Sequence, residues 1–321
     1  MDGYEAVRKT TGWRDRSADG RLRVTGADRA AWLQGLLTND IAALKPGDGC
    51  YAAYLTPQGR MISDVRVLAR ADHMLLDVPA SQKAAVLERL STFIIMEDVA
   101  IEDATDTIAR LALHGPASAS LLASIAGVDV AALGEHANVE ARVGEQSVLI
   151  AGSRDLGVIG FDVYGSREML ATLRPALIEH GAEHIDDEAW HTLRIEAGRP
   201  LFGVDMTTDT IPLEAGIEDR AISFTKGCYV GQEIIIRVMH RGGGRVARKL
   251  VGLRADGAVI EGAAILSGDR SIGQVTSAAH SPRLDAWIAM GYVHRDFADD
   301  GTTVTVGNAS ARVTKLPVDL I

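Results

Sequence analysis

The sequence predicts an α+β fold that ends in a small β-barrel. Three observations carry this. Up to residue 241, strand hairpins are interspersed with helices, which argues against a doubly wound parallel sheet. From Lys249 to Ile321, short strands alternate with Gly, Asp and Ser turns, the texture of a barrel. Between the two, Arg241-Gly242-Gly243-Gly244-Arg245 reads as a linker, because it has neither GxGxxG spacing nor the lysine–hydroxyl pair of a phosphate loop. The expected division is residues 1–241, an α+β region, and residues 242–321, the barrel domain.

The elements follow in order. Leu22 and Val24 form a strand that turns through Thr25-Gly26-Ala27-Asp28 into a helix from Ala30 to Leu37, with Asp28 as its N-cap. Thr38-Asn39-Asp40 stops that helix. Cys50 to Leu55 and Met61 to Ala69 make a hairpin about Pro57-Gln58-Gly59. Cys50 reads as core and Asp64 as a solvated-face residue. Leu75 to Val78 is a strand and Gln82 to Phe93 a helix, with further strands at Val99 to Ile101 and Ala109 to Leu113. His114 stands before the helix Ala117 to Ile125; with no second ligand at metal spacing, it reads as a satisfied structural histidine. Strands at Val148 to Ala151 and Gly160 to Val163 precede a helix from Met169 to His180. Asp186-Asp187-Glu188 places acidic residues in the first turn of the next helix, which suits its dipole and runs to Gly198. Six barrel strands are expected, at 250–253, 264–266, 273–276, 288–293, 303–306 and 312–315.

Composition narrows the function. The net charge is −10 and no basic block is present, which disfavours direct nucleic-acid binding. Two cysteines, Cys50 and Cys228, are too few for a disulfide framework or for four cluster thiolates. No apolar run reaches the length of a membrane span, and Met1-Asp2-Gly3-Tyr4-Glu5 does not resemble a secretory leader. The expectation is a cytoplasmic protein with no membrane partner and no bound metal.

One stretch concentrates chemistry: Lys226-Gly227-Cys228-Tyr229-Val230-Gly231-Gln232-Glu233. An ammonium two residues from a thiol would favour the thiolate. Glycines allow close approach, and Gln232 and Glu233 offer hydrogen bonds to the loop or a ligand. The plainer alternative is a small buried cysteine at a helix start. The octapeptide resembles the signature of the YgfZ family of folate-binding proteins, relatives of the aminomethyltransferase (T-protein) of the glycine cleavage system. That resemblance implies a T-protein-like fold of two interwoven α+β domains with the C-terminal barrel. It also implies tetrahydrofolate or a one-carbon derivative as cofactor, and Cys228, with Lys226, as the functional thiol.

A pterin presents an N3–H and an amino group side by side, which one carboxylate can accept in a fork, while an indole can stack on the ring. Glu196 and Trp190 could serve, although a surface ion pair with Arg194 or Arg199 and simple core packing explain them as well. Leu193-Arg194-Ile195-Glu196-Ala197-Gly198-Arg199-Pro200 is similar to the T-protein Leu-Arg-x-Glu-x-Gly-x-Pro stretch. By that resemblance Glu196 contacts the pterin, with Arg194 and Asn39 beside it; the YgfZ pattern maps a folate-contacting tryptophan onto Trp190, while its second aromatic contact falls at about Asp19, which is not aromatic. T-proteins also imply a carboxylate after the third strand, and Pro79 to Val86 holds none. The expected function is therefore a tetrahydrofolate-binding factor supporting assembly or repair of iron–sulfur proteins, including tRNA-modifying enzymes. Its partners would be those clients or their assembly factors. The alternatives are a folate-dependent aminomethyltransferase of glycine cleavage and a non-catalytic scaffold.

Overall fold

The computed structural model describes residues 2–241 and 245–318. In chain order the elements are α1 (Gly3–Lys9), β1 (Gly12–Asp15), β2 (Gly20–Thr25), α2 (Arg29–Leu36), β3 (Gly49–Leu55), β4 (Met61–Ala69), β5 (His73–Val78), α3 (Lys83–Ser91), β6 (Ala100–Asp103), β7 (Ala109–His114) and α4 (Ser118–Ala126). They continue with β8 (Asn138–Val143), β9 (Gln146–Ser153), β10 (Gly160–Gly165), α5 (Arg167–Glu179), β11 (Glu183–His184), α6 (Asp187–Glu196), α7 (Pro212–Ala215), α8 (Glu218–Ala221) and α9 (Gln232–Arg241). The last six strands are β12 (Arg248–Ala255), β13 (Ala264–Ser267), β14 (Arg270–Ser281), β15 (Ala286–His294), β16 (Thr303–Val306) and β17 (Ala309–Thr314).

Two open sheets and a barrel result. One sheet has the order β3-β4-β5-β2-β6, the other β11-β1-β7-β10-β9-β8. The chain enters the second sheet with β1, builds the whole first sheet, then returns with β7, so the two α+β units are interwoven as expected. Strands β12 to β17 close the barrel in the order β12-β15-β14-β13-β16-β17. The expected glycine linker and the boundary at 241/242 lie at residues 242–244, outside the described residues. No helix among the described residues is long and apolar enough to cross a membrane.

Each sheet buries one face under its own helices. Leu22, Val24, Val65, Val67, Met74 and Leu76 pack with Trp32, Leu33 and Leu36 of α2 and with Val86 and Leu90 of α3. Leu111, Leu113, Phe161 and Val163 pack with Leu122 of α4 and Leu173 and Leu177 of α5. Asp28 does not cap α2 as expected: its carboxylate accepts the Asp98 backbone N–H at 2.8 Å instead. Asp186, by contrast, caps α6 through the Ala189 N–H at 2.8 Å.

Candidate functional site

Side chains alternate along a strand, so the residues between the core positions face the opposite way. On β4 these are Asp64 and Arg66. Register sets Tyr51 of β3 beside Arg66, and Asp77 of β5 on its other side. On the second sheet the alternation leaves Arg110 and His114 of β7 and Asp162 and Tyr164 of β10 outside its apolar core. The two polar faces meet. Asp64 is therefore not on a solvated face, as the isolated strand implied.

The meeting is an ion-pair network. Arg66 donates to both Asp155 oxygens at 2.6 and 2.5 Å and to Asp162 at 3.0 Å. Arg110, 2% exposed, forks onto Asp162 at 2.8 and 2.9 Å and reaches Asp77 at 2.7 Å. The Tyr164 hydroxyl donates to Asp77 at 2.7 Å. Burial pushes Asp155 up, but Arg66 and then Arg110 outweigh it and hold the carboxyl well below the usual range.

A small pocket of about 110 Å³ opens beside this network, lined by Tyr51, Asp64, Arg66, Trp190, Arg194 and Arg220 among others. Within it Asp64 stands apart. The Tyr51 hydroxyl donates to Asp64 Oδ2 at 2.8 Å, while Oδ1 is buried without a partner. Burial raises the Asp64 pKa, against the pull of Tyr51 and Arg66. A shifted carboxylate with a free oxygen in a cleft marks a candidate proton acceptor. The sequence signal was present, an acid inside an alternating strand, but a single strand does not show that a second sheet covers it.

Arg199, Pro200 and Arg220 line both this pocket and a larger cleft of about 950 Å³ running between α6, α7, α8 and the barrel. Both guanidinium groups donate to Glu135 Oε1, at 3.4 and 3.0 Å. Lys249, Arg283 and Lys315 add positive charge along the cleft, beside Glu218, Asp219, Asp299 and Asp300. Among the described residues no group of three or more His, Cys, Asp or Glu is placed to hold a metal ion.

The structure separates the expected site residues. Trp190 and Arg194, one helical turn apart on α6, line the pocket. Arg194 is held by Asp205 and by Ser277 of the barrel, each at 2.7 Å. Glu196 does not join them. Its Oε1 accepts the Tyr4 and Ser281 hydroxyls at 2.6 and 2.5 Å, and its Oε2 pairs with Arg8. The carboxylate is consumed in tying α1 and the barrel to α6, on the side of the large cleft. Asn39 lies outside the pocket but pins it: its amide donates to the carbonyls of Tyr51 at 2.8 Å and Arg220 at 3.1 Å. Asp19 reaches the pocket wall, where Arg16 donates to it at 2.9 Å.

The octapeptide is a latch. Lys226 Nζ donates to the carbonyls of Gln34, Leu37 and Asn39 at 2.6, 2.6 and 2.9 Å, satisfying the open C-terminal end of α2. Its charge acts on the Cys50 thiol, which burial pushes up to about 12 against the pull of Lys226. Cys228 and Gly227 are exposed, and Cys228 lines neither the pocket nor the cleft. Tyr229 is buried under the Lys226 ammonium, 5.1 Å from the ring centre. Gly231 adopts φ +86°, and a Cβ there would stand 2.6 Å from the Thr56 carbonyl oxygen. Gln232 turns back only to the Gly227 carbonyl at 3.5 Å, and Glu233 pairs with Arg237 on the surface at 2.6 Å. Lys226→Met should accordingly cost about 1.5–3 kcal/mol of unfolding free energy, the scale of bonds to a charged donor. Denaturant titration checks this, and unchanged stability would show that the latch carries nothing.

Comparison with known proteins matches the GCVT N-terminal domain over residues 2–226 and the glycine cleavage T-protein C-terminal barrel domain over residues 248–319. An aminomethyltransferase of Rubrobacter xylanophilus is 33% identical over 98% of this chain and 84% of its own length. One of Streptomyces coelicolor is 34% identical over 93% and 82%. A crystal structure of the glycine cleavage system aminomethyltransferase T from Bartonella henselae superposes with a TM-score of 0.90 at 25% identity, covering 99% of this chain and 88% of that one. These relatives overturn the expectation of an iron–sulfur support factor built on the Cys228 thiol, with its client partners and tRNA link. They favour the aminomethyltransferase alternative.

Proposed function

This chain belongs to the glycine cleavage T-protein family, and we propose that it is a tetrahydrofolate-dependent aminomethyltransferase. The observation that carries the reading is Asp64: a buried carboxylate with one oxygen held by Tyr51 and the other free, in a pocket shared with Trp190.

The residues fit the substrate. The pocket of about 110 Å³ is below the size of a drug-sized ligand site, roughly 300–1,000 Å³. It suits a buried head, with Trp190 offering an aromatic surface. The adjoining cleft of about 950 Å³ has room for the rest. Arg199 and Arg220 at the junction suit a ligand with a carboxylate tail.

In aminomethyl transfer, R–CH2–NH2, the carbon forms a bond to a folate amine nitrogen and its bond to R breaks. The electron pair leaves on R, and the amine proton ends on R. A base near the attacking nitrogen moves that proton, and Asp64 Oδ1 is the pocket oxygen available to do so. Tyr51 fixes the carboxylate, and Arg220, 4.9 Å over the Tyr51 ring, fixes Tyr51 in turn. Pro79 to Val86 holds no carboxylate, and on this reading Asp64 of β4 takes the part of the acid expected after β5.

The test is calorimetric titration with tetrahydrofolate, followed by a transfer assay with an aminomethyl-loaded carrier protein of a glycine cleavage system. Binding below about millimolar and formation of a one-carbon folate support the reading. Cys228→Ser should retain both within about twofold, since a surface change away from the site has little effect. No binding by folded, ligand-free protein would overturn the function. Loss of transfer in Cys228→Ser would restore a role for the thiol.

A further inference from the structure

His114 is the most unusual side chain behind the pocket. It is fully buried, yet neither ring nitrogen has a hydrogen-bond partner. That differs from the satisfied histidine the sequence implied. A buried polar group without a partner costs stability, so packing alone would favour an apolar residue here. Burial keeps the imidazole neutral, pushed down to about 3.

Its surroundings are built to hold it. On the two neighbouring strands the residues directly opposite are Gly12 and Gly160. A Cβ on Gly160 would stand 2.1 Å from His114 Nδ1, so the ring occupies the space a side chain would take. The ring then meets Trp190 edge to face, with centres 5.5 Å apart and planes at 72°. Such pairs are a favoured aromatic geometry. The guanidinium groups of Arg16 and Arg14 lie 4.8 and 5.5 Å from the same indole. Trp190 is thus located by His114 on one side and by arginines elsewhere.

We propose that His114 is a positioning residue that sets the orientation of the Trp190 indole for the ligand, with Gly160 as the space that admits it. This rests on Trp190 contacting the folate, as the proposed function has it. His114 itself does not line the pocket and touches no reacting atom.

A double-mutant cycle tests it in the full chain, with tetrahydrofolate as the probe: His114→Leu, Trp190→Phe and the pair. His114→Leu should raise Kd and KM by roughly fivefold, the scale of a misplaced aromatic contact. It should leave kcat within about twofold, and its melting temperature should not fall, because an unpartnered polar group is removed. In the Trp190→Phe background the same change should have no further effect. Gly160→Ala, which crowds the imidazole directly, should reproduce the rise in KM and serves if His114→Leu does not fold. Unchanged affinity in His114→Leu, while Trp190→Phe loses affinity, overturns this inference alone. An equal loss in both backgrounds assigns His114 a general structural role and also overturns it. Trp190→Phe binding as tightly as the parent removes Trp190 from the site and overturns both readings.

Discussion

Asp64→Asn should lower kcat for one-carbon transfer by about a hundredfold or more, the usual contribution of a positioned general base. The affinity for tetrahydrofolate should change little. The substitution keeps the shape, and the asparagine carbonyl can still accept the Tyr51 hydroxyl that now reaches Asp64 Oδ2 at 2.8 Å. What it removes is the proton-accepting capacity of Oδ1. The pH profile gives a second check. Burial raises the Asp64 pKa, so wild-type activity should climb with pH as the group deprotonates, and the asparagine enzyme should lose that limb. Stability should move the other way from activity. A carboxyl whose folded pKa is raised contributes stability below its unfolded pKa and loses it as pH rises through the folded value. Wild-type protein therefore carries a cost at neutral pH that Asp64→Asn relieves, and the variant should unfold at an equal or higher denaturant midpoint. A variant with full kcat and an intact acid limb would remove Asp64 from the chemistry.

Much of the architecture was legible because local patterns suffice for it. Strand alternation and turn residues gave the hairpin of β3 and β4 and the six barrel strands. The edge strands β8 and β11 and the short inner strand β1 were not anticipated, since β1 and β11 share only two pairings and β8 alternates beside exposed residues. The site was harder because it forms where faces from distant segments meet. Asp64 and Arg110 are far apart in sequence, and each belongs to a strand that looks half-polar by itself. Glu196 is different: helix geometry alone separates it from Trp190 and Arg194. At about 100° per residue, Arg194 lies about 40° from Trp190 around α6, while Glu196 lies about 200° beyond Arg194. One pocket cannot take all three from the same helix face. The Lys226–Cys228 spacing misled for a similar reason. Two residues apart in a loop says nothing of direction, and the open carbonyls of α2 captured the ammonium.

Arg110→Leu should destabilise the fold by about 3–5 kcal/mol, because it leaves buried carboxylates without their partner. Arg110 serves Asp162 through two bonds and Asp77 through a third, and all three residues are nearly inaccessible to water. Arg66 also reaches Asp162 at 3.0 Å, but its shorter bonds go to Asp155, so it does not replace what is lost. The cost belongs to the broken network and not to the net worth of an ion pair. A compensating double variant, Arg110→Leu with Asp162→Leu, should therefore recover much of the loss. Acid titration adds an independent signature. Asp155 is held well below the ordinary carboxyl range by Arg66 and Arg110 against the opposing effect of burial. A depressed carboxyl contributes stability above its unfolded pKa, near 3.9, and that stability is lost as pH falls through the lower folded value. Removing Arg110 weakens the hold on Asp155, so the variant should unfold in acid at a higher pH than wild type. Denaturant midpoints measured from about pH 7 down to about pH 3 would show both effects. If Arg110→Leu matched wild type across that range, the apolar contacts at Leu68, Leu75, Ala151 and Tyr164, with the bonds of Arg66 and Arg70 to the second sheet, would suffice to join the two sheets, and Arg110 would be serving the pocket rather than the fold.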